Sequence, residues 1–372
     1  MLAALALLAR GAAAQTGLTR GPYLQSTTRD SAIVVWQTGS AGDSVVEYGM
    51  AGFTSAITDT TPASTHVVTL TGLSAGATYQ YRVKTGGALL YTSTFATAPN
   101  AASAFDFVII GDSGTGSTEQ NAVAARMNAL QPDFMLHTGD VIYLDGQASG
   151  YNPFFFTPYR DLIDQAPVFP SLGNHDYHTA NGQPYLDAFY LPANNPASTE
   201  RYYSFDWGDA HFVALDSTPP RYSDSAMLQW LESDLAASTA TWKFVFFHHA
   251  LYTTGLHAGD PSLPAMKAML EPIFDRYDVD LVFNGHDHAY ERSRPITGTI
   301  YIVSGGGGAG LYDVTTSGDI VAARKAHHTV QVQIDSCVLS LRAIDTSGAV
   351  FDQIALSKCS NKIYLPVILK SR

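Results

Sequence analysis

The run FDFVIIGD at 105–112 is apolar at almost every position and then stops at a glycine and an aspartate. The same pattern recurs in DFMLHTGD, APVFPSLGNHD, DAHFVALD, WKFVFFHH, VDLVFNGHDH and GTIYIVSGGGG. Short apolar runs bounded by turn residues read as strands buried on both faces. Between them lie TEQNAVAARMNAL, SDSAMLQWLESDLAAS and PAMKAMLEPIFDRY, which have helical spacing and good helix formers. This alternation predicts a layered α/β (α+β) domain over 104–358.

Residues 18–98 follow a different pattern. SAIVVWQT, SVVEYG, THVVTLTGL, TYQYRVKTG and YTSTFAT are short alternating or β-branched runs split by Gly, Ser and Asp. LTGLSAGATYQYRV places a leucine and then a tyrosine at a turn before a strand, as in the tyrosine corner of immunoglobulin-like sandwiches. This all-β segment is similar to a fibronectin type III module. Trp36 and His66 fall in strand patterns and read as structural. TAPNAASA (97–104) is a small-residue linker between the two units.

The bulk composition narrows the function. The chain has 372 residues, is 46% hydrophobic and only 15% charged, and carries a formal net charge of −12. Such a chain folds around large cores. No basic nucleic-acid groove or anionic-membrane surface is expected at that charge. An anionic substrate then needs a local positive source, such as bound metal. MLAALALLARGAAAQTG resembles a signal peptide over 1–14, which predicts a secreted, periplasmic or cell-surface protein. No run reaches the ~18 apolar residues of a spanning helix. Cys337 and Cys359, the two cysteines, either close one disulfide or remain buried thiols. The tail 359–372, ending NKIYLPVILKSR, reads as a processing tag or an edge strand.

The polar residues that end the apolar runs share one chemistry. Asp112 lies in GDSG, Asp140 and Tyr143 in GDVIY, and Asn174 and His175 in GNHD. His248 closes WKFVFFH, and His286 and His288 lie in GHDH. Each group follows a strand, so all are expected at carboxyl ends, where α/β sheets assemble their sites. In an extended segment His286 and His288 would share one side, roughly 6.5 Å apart, a spacing suited to two metal ions about 3.5–4 Å apart. Carboxylates, an amide, a phenol and imidazoles without thiolate describe a hard-to-borderline site. Seven ligands exceed one zinc and suit two ions bridged by a carboxylate, here Asp140. Tyr143, bound as phenolate, would favour a ferric ion.

GDSG, GDVIY, GNHD, VFFH and GHDH, in this order, resemble the calcineurin-like metallophosphoesterases. The tyrosine of GDVIY and the run GHDHAYER are similar in particular to the purple acid phosphatases. The resemblance covers about 18–355 and implies a β-sandwich flanked by helices. It implies a ferric ion held by Asp112, Asp140, Tyr143 and His288, and a divalent ion (Fe, Zn or Mn) held by Asp140, Asn174, His248 and His286. It also implies that His175 contacts phosphate and helps protonate the leaving group, with His257 a second substrate contact. Some family members carry adjacent histidines where this chain has His257 followed by Ala258.

These residues predict hydrolysis of small phosphate monoesters by a metal-bound hydroxide. A phosphodiesterase or nucleotide pyrophosphatase on the same metals, and a non-catalytic surface-binding protein, are the alternatives. Ser113 has no evident basic partner and reads as loop, and Glu291 and Arg292 read as loop anchors. SGGGGAGLY (304–312) lacks the Lys-Ser/Thr of a nucleotide loop and reads as close backbone packing. His137, His178, His211, His249, His327 and His328 read as structural, His249 pointing away from His248.

Overall fold

The computed structural model describes residues 17–359. The export segment expected at 1–14, and all of the tail but Cys359, lie outside them. Among the described residues no helix is long and apolar enough to cross a membrane.

The N-terminal unit is all β, with β1 (Leu18–Gln25), β2 (Ser31–Gly49), β3 (Ser55–Thr71), β4 (Thr78–Thr85) and β5 (Ala88–Ala96). The sequence suggests two strands, SAIVVWQT and SVVEYG, where the structure has one long strand. Between Gln37 and Ser44 the register of β2 against β3 shifts, and pairing passes from β1 to β4. The Gly- and Ser-rich TGSAGD is therefore a bulged bend, not a turn. Trp36, Leu70, Tyr81 and Phe95 fill this core, and His66 stacks on Trp36 at 4.7 Å. The Tyr79 hydroxyl accepts the Ser74 backbone N–H at 2.8 Å, forming the expected corner.

The second unit begins with three parallel strands, β6 (Phe105–Ile110), β7 (Phe134–His137) and β8 (Val168–Pro170). Next come β9 (Tyr203–Trp207), β10 (Ala210–Ala214), β11 (Trp242–Phe246), β12 (Leu281–Asn284), β13 (Tyr290–Ser293), β14 (Ile300–Ser304) and β15 (Ile320–Arg324). The last strands are β16 (His328–Asp335), β17 (Val338–Asp345) and β18 (Val350–Ser357). They form two sheets, ordered β15-β13-β14-β12-β11-β10-β9 and β18-β17-β16-β6-β7-β8. Phe107 of β6 meets Phe212, Phe244 and Phe283 of the other sheet at centroid distances of 5.2, 5.7 and 6.2 Å. The sheets thus pack face to face through aromatic side chains, which dominate such cores. Helices Ser225–Ala237 and Leu263–Arg276 bury Leu231, Leu235, Met266 and Leu270 in a second core with Val213, Val245 and Val282. This is the helix-flanked β-sandwich that the resemblance implies.

The two units are tied together. Tyr23 donates to Ala188 O at 2.8 Å, Gln25 to Val168 O at 3.0 Å, and Tyr81 to Asp164 O at 2.8 Å. Cys337 and Cys359 are disulfide-bonded across a separation of 22 residues, a cross-link worth roughly 3 kcal/mol in the loop-entropy model.

One structural histidine makes a pH prediction. His211 sits between Asp206 and Asp234, 2.8 Å from each. Burial alone would lower its pKa, but both hydrogen bonds and both carboxylate charges outweigh that and lift it to about 9. A raised folded-state pKa stabilises the fold fully below the unfolded value near 6.5, and the contribution fades as pH rises through about 9. His211→Gln is expected to lower stability by about 1–2 kcal/mol at pH 6 and by little at pH 10. Urea unfolding at both pH values measures it. An equal loss at both would show that packing, not charge, is what His211 supplies.

Candidate metal centre

Asp112, Asp140 and Asn174 follow β6, β7 and β8 of one sheet, whereas His248, His286 and His288 follow β11 and β12 of the other. The site therefore lies where the carboxyl ends of parallel strands from both sheets meet. The backbone is strained there: Asp112, Asp140 and His286 have φ of 59°, 53° and 69°. L-residues with side chains avoid that region, and such strain is kept where it serves a site. Gly173 is required by contact, since a Cβ there would lie 2.1 Å from Asp140 Oδ1.

Each buried carboxylate spends one oxygen on the backbone. Asp112 Oδ2 accepts the His286 N–H at 2.9 Å, and Asp140 Oδ1 accepts the His175 N–H at 2.8 Å. The remaining oxygens face inward. The Tyr143 hydroxyl lies 2.9 Å from Asp112 Oδ1, 3.0 Å from Asp140 Oδ2 and 2.9 Å from His288 Nε2. His288 donates through Nδ1 to Gly310 O at 2.7 Å, so its Nε2 offers a lone pair. One phenol proton cannot satisfy three acceptors.

A second cluster adjoins the first. His248 donates through Nδ1 to Thr138 O at 2.9 Å, leaving Nε2 to face Asn174 Oδ1 at 3.0 Å, His286 Nδ1 at 3.1 Å and Asp140 Oδ2 at 3.3 Å. Asp140 Oδ2 belongs to both clusters. Asp112, Asp140 and His248 alone bring ligand atoms within 4.8 Å of one another. Among the described residues His286 Nε2, which is buried, has no hydrogen-bond partner.

The electrostatics point the same way. Burial would lower the His248 pKa, yet the Asp140 charge and hydrogen bond lift it to about 9. The same pairing holds Asp140 well below the usual carboxylate range despite its burial. Tyr143 is driven well above an ordinary phenol by burial and by the Asp112 and Asp140 charges. No Lys or Arg side chain forms an ion pair with these carboxylates among the described residues. Two crowded sets of electron-pair donors around buried negative charge fit two cations sharing Asp140.

His175 and His257 flank the clusters. His175 donates through Nδ1 to Leu144 O, and its Nε2 stands 3.9 Å from Asp140 Oδ2. His257 donates through Nδ1 to Asp287 Oδ1 at 3.1 Å, with its ring stacked on His286 at 3.8 Å. All nine residues singled out in the sequence are thus brought to one place.

One of the structural readings needs correction. His249 does not point away: the chain has left β11, and its ring lies 4.5 Å from His286 while Ser217 Oγ holds its Nδ1 at 2.9 Å. Ser113 does meet a histidine, but His137 Nδ1 accepts the Gly139 N–H at 3.2 Å, so its Nε2 donates to Ser113 Oγ at 2.8 Å and is no base for it. Both are fully buried and burial depresses His137 to about 3, so the pair is packing. Glu291 and Arg292 anchor as expected, Glu291 to Thr254 N at 2.8 Å and Arg292 to Asp352 at 2.6 Å. In the glycine run, a Cβ at Gly307 would meet Gly111 O at 2.3 Å, which is the expected close packing.

Three supporting residues escaped the sequence reading. Asp176 ends GNHD and accepts N–H groups of Gly173 at 2.9 Å and Val141 at 3.0 Å, joining two site loops. Asp287 lies inside GHDH and holds His257. Tyr312 ends the glycine run and stacks on His288 at 4.2 Å. The first two stood within motifs already selected, but Tyr312 carried no periodic signal.

Residues 105–290, half of the chain, match the model of the calcineurin-like phosphoesterase family. The chain belongs to that family. Residues 20–98 match the model of the purple acid phosphatase N-terminal domain. Purple acid phosphatase 4 of Arabidopsis thaliana is 29% identical over 285 residues, covering 68% of this chain and 83% of the relative. Purple acid phosphatase 22 of the same plant is 31% identical over 263 residues, covering 65% of this chain and 58% of its own length. Probable inactive purple acid phosphatase 1, also from that plant, is 27% identical, covering 78% of this chain and 55% of the relative. The purple acid phosphatase PPD1 from yellow lupin seeds shares the fold at a TM-score of 0.79 and 21% identity, over 91% of this chain and 74% of that one.

Proposed function

We propose that this calcineurin-like phosphoesterase is a dinuclear acid phosphatase of purple acid phosphatase type that hydrolyses phosphate monoesters. The observation that carries the reading is the pair of donor clusters sharing Asp140 Oδ2, flanked by two histidines whose Nδ1 protons are already engaged. In this reading Asp112, Asp140, Tyr143 and His288 hold a ferric ion. Asp140, Asn174, His248 and His286 hold a divalent ion (Fe, Zn or Mn). Together the ions supply an activated water and neutralise charge on the phosphoryl oxygens.

The chain's own residues do the rest. The carbonyl of Leu144 fixes the orientation of His175, whose Nε2 then delivers a proton to the leaving oxygen. Asp287 orients His257 by accepting its Nδ1 proton, which turns Nε2 toward a phosphoryl oxygen. No serine nucleophile takes part, since Ser113 is sealed beside His137. We read the N-terminal unit as fibronectin type III-like on the Tyr79 corner, and the protein as exported on the character of residues 1–14.

Steady-state hydrolysis of a nitrophenyl phosphomonoester and its bis-ester, before and after metal removal and reloading, tests the reading. Metal-dependent turnover with kcat/KM higher for the monoester is expected. Preference for the diester would make the chain a phosphodiesterase, and no turnover of either by metal-loaded protein would favour a binding protein.

A further inference from the structure

We propose that Tyr312 determines substrate preference, its ring forming a platform for the organic group of the ester, so that the site favours monoesters of flat or apolar alcohols. The proposal rests on the phosphatase reading above.

The rings around the clusters form an almost continuous belt. His178 meets His175 at 5.0 Å, His175 meets Tyr143 at 4.6 Å, and Tyr143 meets His288 at 5.8 Å. His288 stacks on Tyr312 at 4.2 Å and 14° between planes. Tyr312 meets His257 at 5.7 Å, and His257 stacks on His286 at 3.8 Å. The members other than Tyr312 are candidate ligands, candidate proton carriers, or His178. Tyr312 has no such duty, yet it is fixed in place. Its N–H donates to His288 O at 3.0 Å, and His288 Nδ1 donates back to Gly310 O. Its hydroxyl makes no hydrogen bond to any described residue, and the ring is only half-buried. A flat, rigid, partly open ring between the two clusters' histidines suits stacking against an organic group.

Exposed leucines and acidic residues neighbour members of the belt in the chain. Leu144, whose carbonyl holds His175, is 72% exposed, and Leu256, next to His257, is 67% exposed. Asp145 and Asp313 follow Leu144 and Tyr312 directly, Asp145 facing His178 at 3.6 Å and Asp313 paired with Lys325 at 2.9 Å. After burial, the Asp112, Asp287 and Asp140 carboxylates are the groups that act most on the Tyr312 hydroxyl. Among the described residues no Lys or Arg hydrogen-bonds to, pairs with or stacks on any ring of the belt. The one lysine beside Tyr312 among the described ion pairs, Lys325, is engaged by Asp313, whereas an aryl or hydrocarbon group would find the open Tyr312 ring.

The test compares phenyl phosphate with glycerol phosphate on metal-loaded wild type, Tyr312→Ala and Leu256→Ser. Calorimetric binding of phenylphosphonate and methylphosphonate is measured alongside. Tyr312→Ala is expected to cut kcat/KM for phenyl phosphate about three- to tenfold, mainly through KM, leaving glycerol phosphate within about twofold. Leu256→Ser, which alters an exposed side chain, should act in the same direction more weakly. The affinity advantage of phenylphosphonate should shrink in Tyr312→Ala. Equal losses on both esters, with the phosphonate ratio unchanged, would reduce Tyr312 to a support for His288 and overturn the proposal. So would a wild type that prefers glycerol phosphate. Failure to hydrolyse any monoester would instead sink the phosphatase reading, and the phosphonate ratio would still report on the platform.

Discussion

Asp140→Asn is expected to purify folded, with far less than two metal equivalents, and with kcat/KM for a phosphomonoester reduced on the order of 10³-fold or more. The substitution keeps shape and removes charge. Asp140 is singular because one of its oxygens, Oδ2, stands 3.0 Å from the Tyr143 hydroxyl and 3.3 Å from His248 Nε2. Losing Asn174 or His288 would weaken one cluster, whereas losing the Asp140 charge weakens both. Its other oxygen accepts the His175 N–H, a bond the amide oxygen can still accept. The fold should therefore survive. Metal content by elemental analysis, circular dichroism and turnover together decide the matter. Retention of both metals with normal turnover would remove Asp140 from the centre.

His175→Ala is expected to separate metal binding from catalysis. Its ring lies outside both donor clusters, and its Nε2 is 3.9 Å from the shared carboxylate oxygen. Metal content should stay at the wild-type level while kcat falls about 10²–10⁴-fold, the range for a lost general acid. The loss should be smaller for a nitrophenyl ester, whose leaving group needs little help, than for an alkyl ester. Loss of metal instead would make His175 a ligand. An equal loss on both esters would assign it to phosphate binding without proton transfer.

The contrast between these variants reflects how much of the site was legible in the sequence. Candidate ligands were visible because each ends an apolar run, and parallel strands deliver such residues to one edge. Strand ends alone do not show that two sheets share the task, β6–β8 leading to Asp112, Asp140 and Asn174 and β11–β12 to the three ligand histidines. Local reasoning failed wherever a partner came from far along the chain. Ser113 finds His137 across 24 residues, and His257 finds Asp287 across 30. Strand alternation misplaces His249 because β11 ends at Phe246, three residues earlier, where the chain turns into the site. The bend in β2 was misread for the reverse reason, since Gly-rich bulges and true turns look alike in sequence. Tyr312 was missed because a glycine run has no period to follow, and only folding sets that ring against His288.

The central claim is a pair of unlike metal ions held through Asp140, one of them by Tyr143. The visible spectrum and metal content of the purified protein, measured beside Tyr143→Phe, test it most directly. About two metals per chain, at least one of them iron, with a broad charge-transfer band that Tyr143→Phe abolishes, is the predicted result. Two colourless divalent ions, or a band unchanged by Tyr143→Phe, would contradict it.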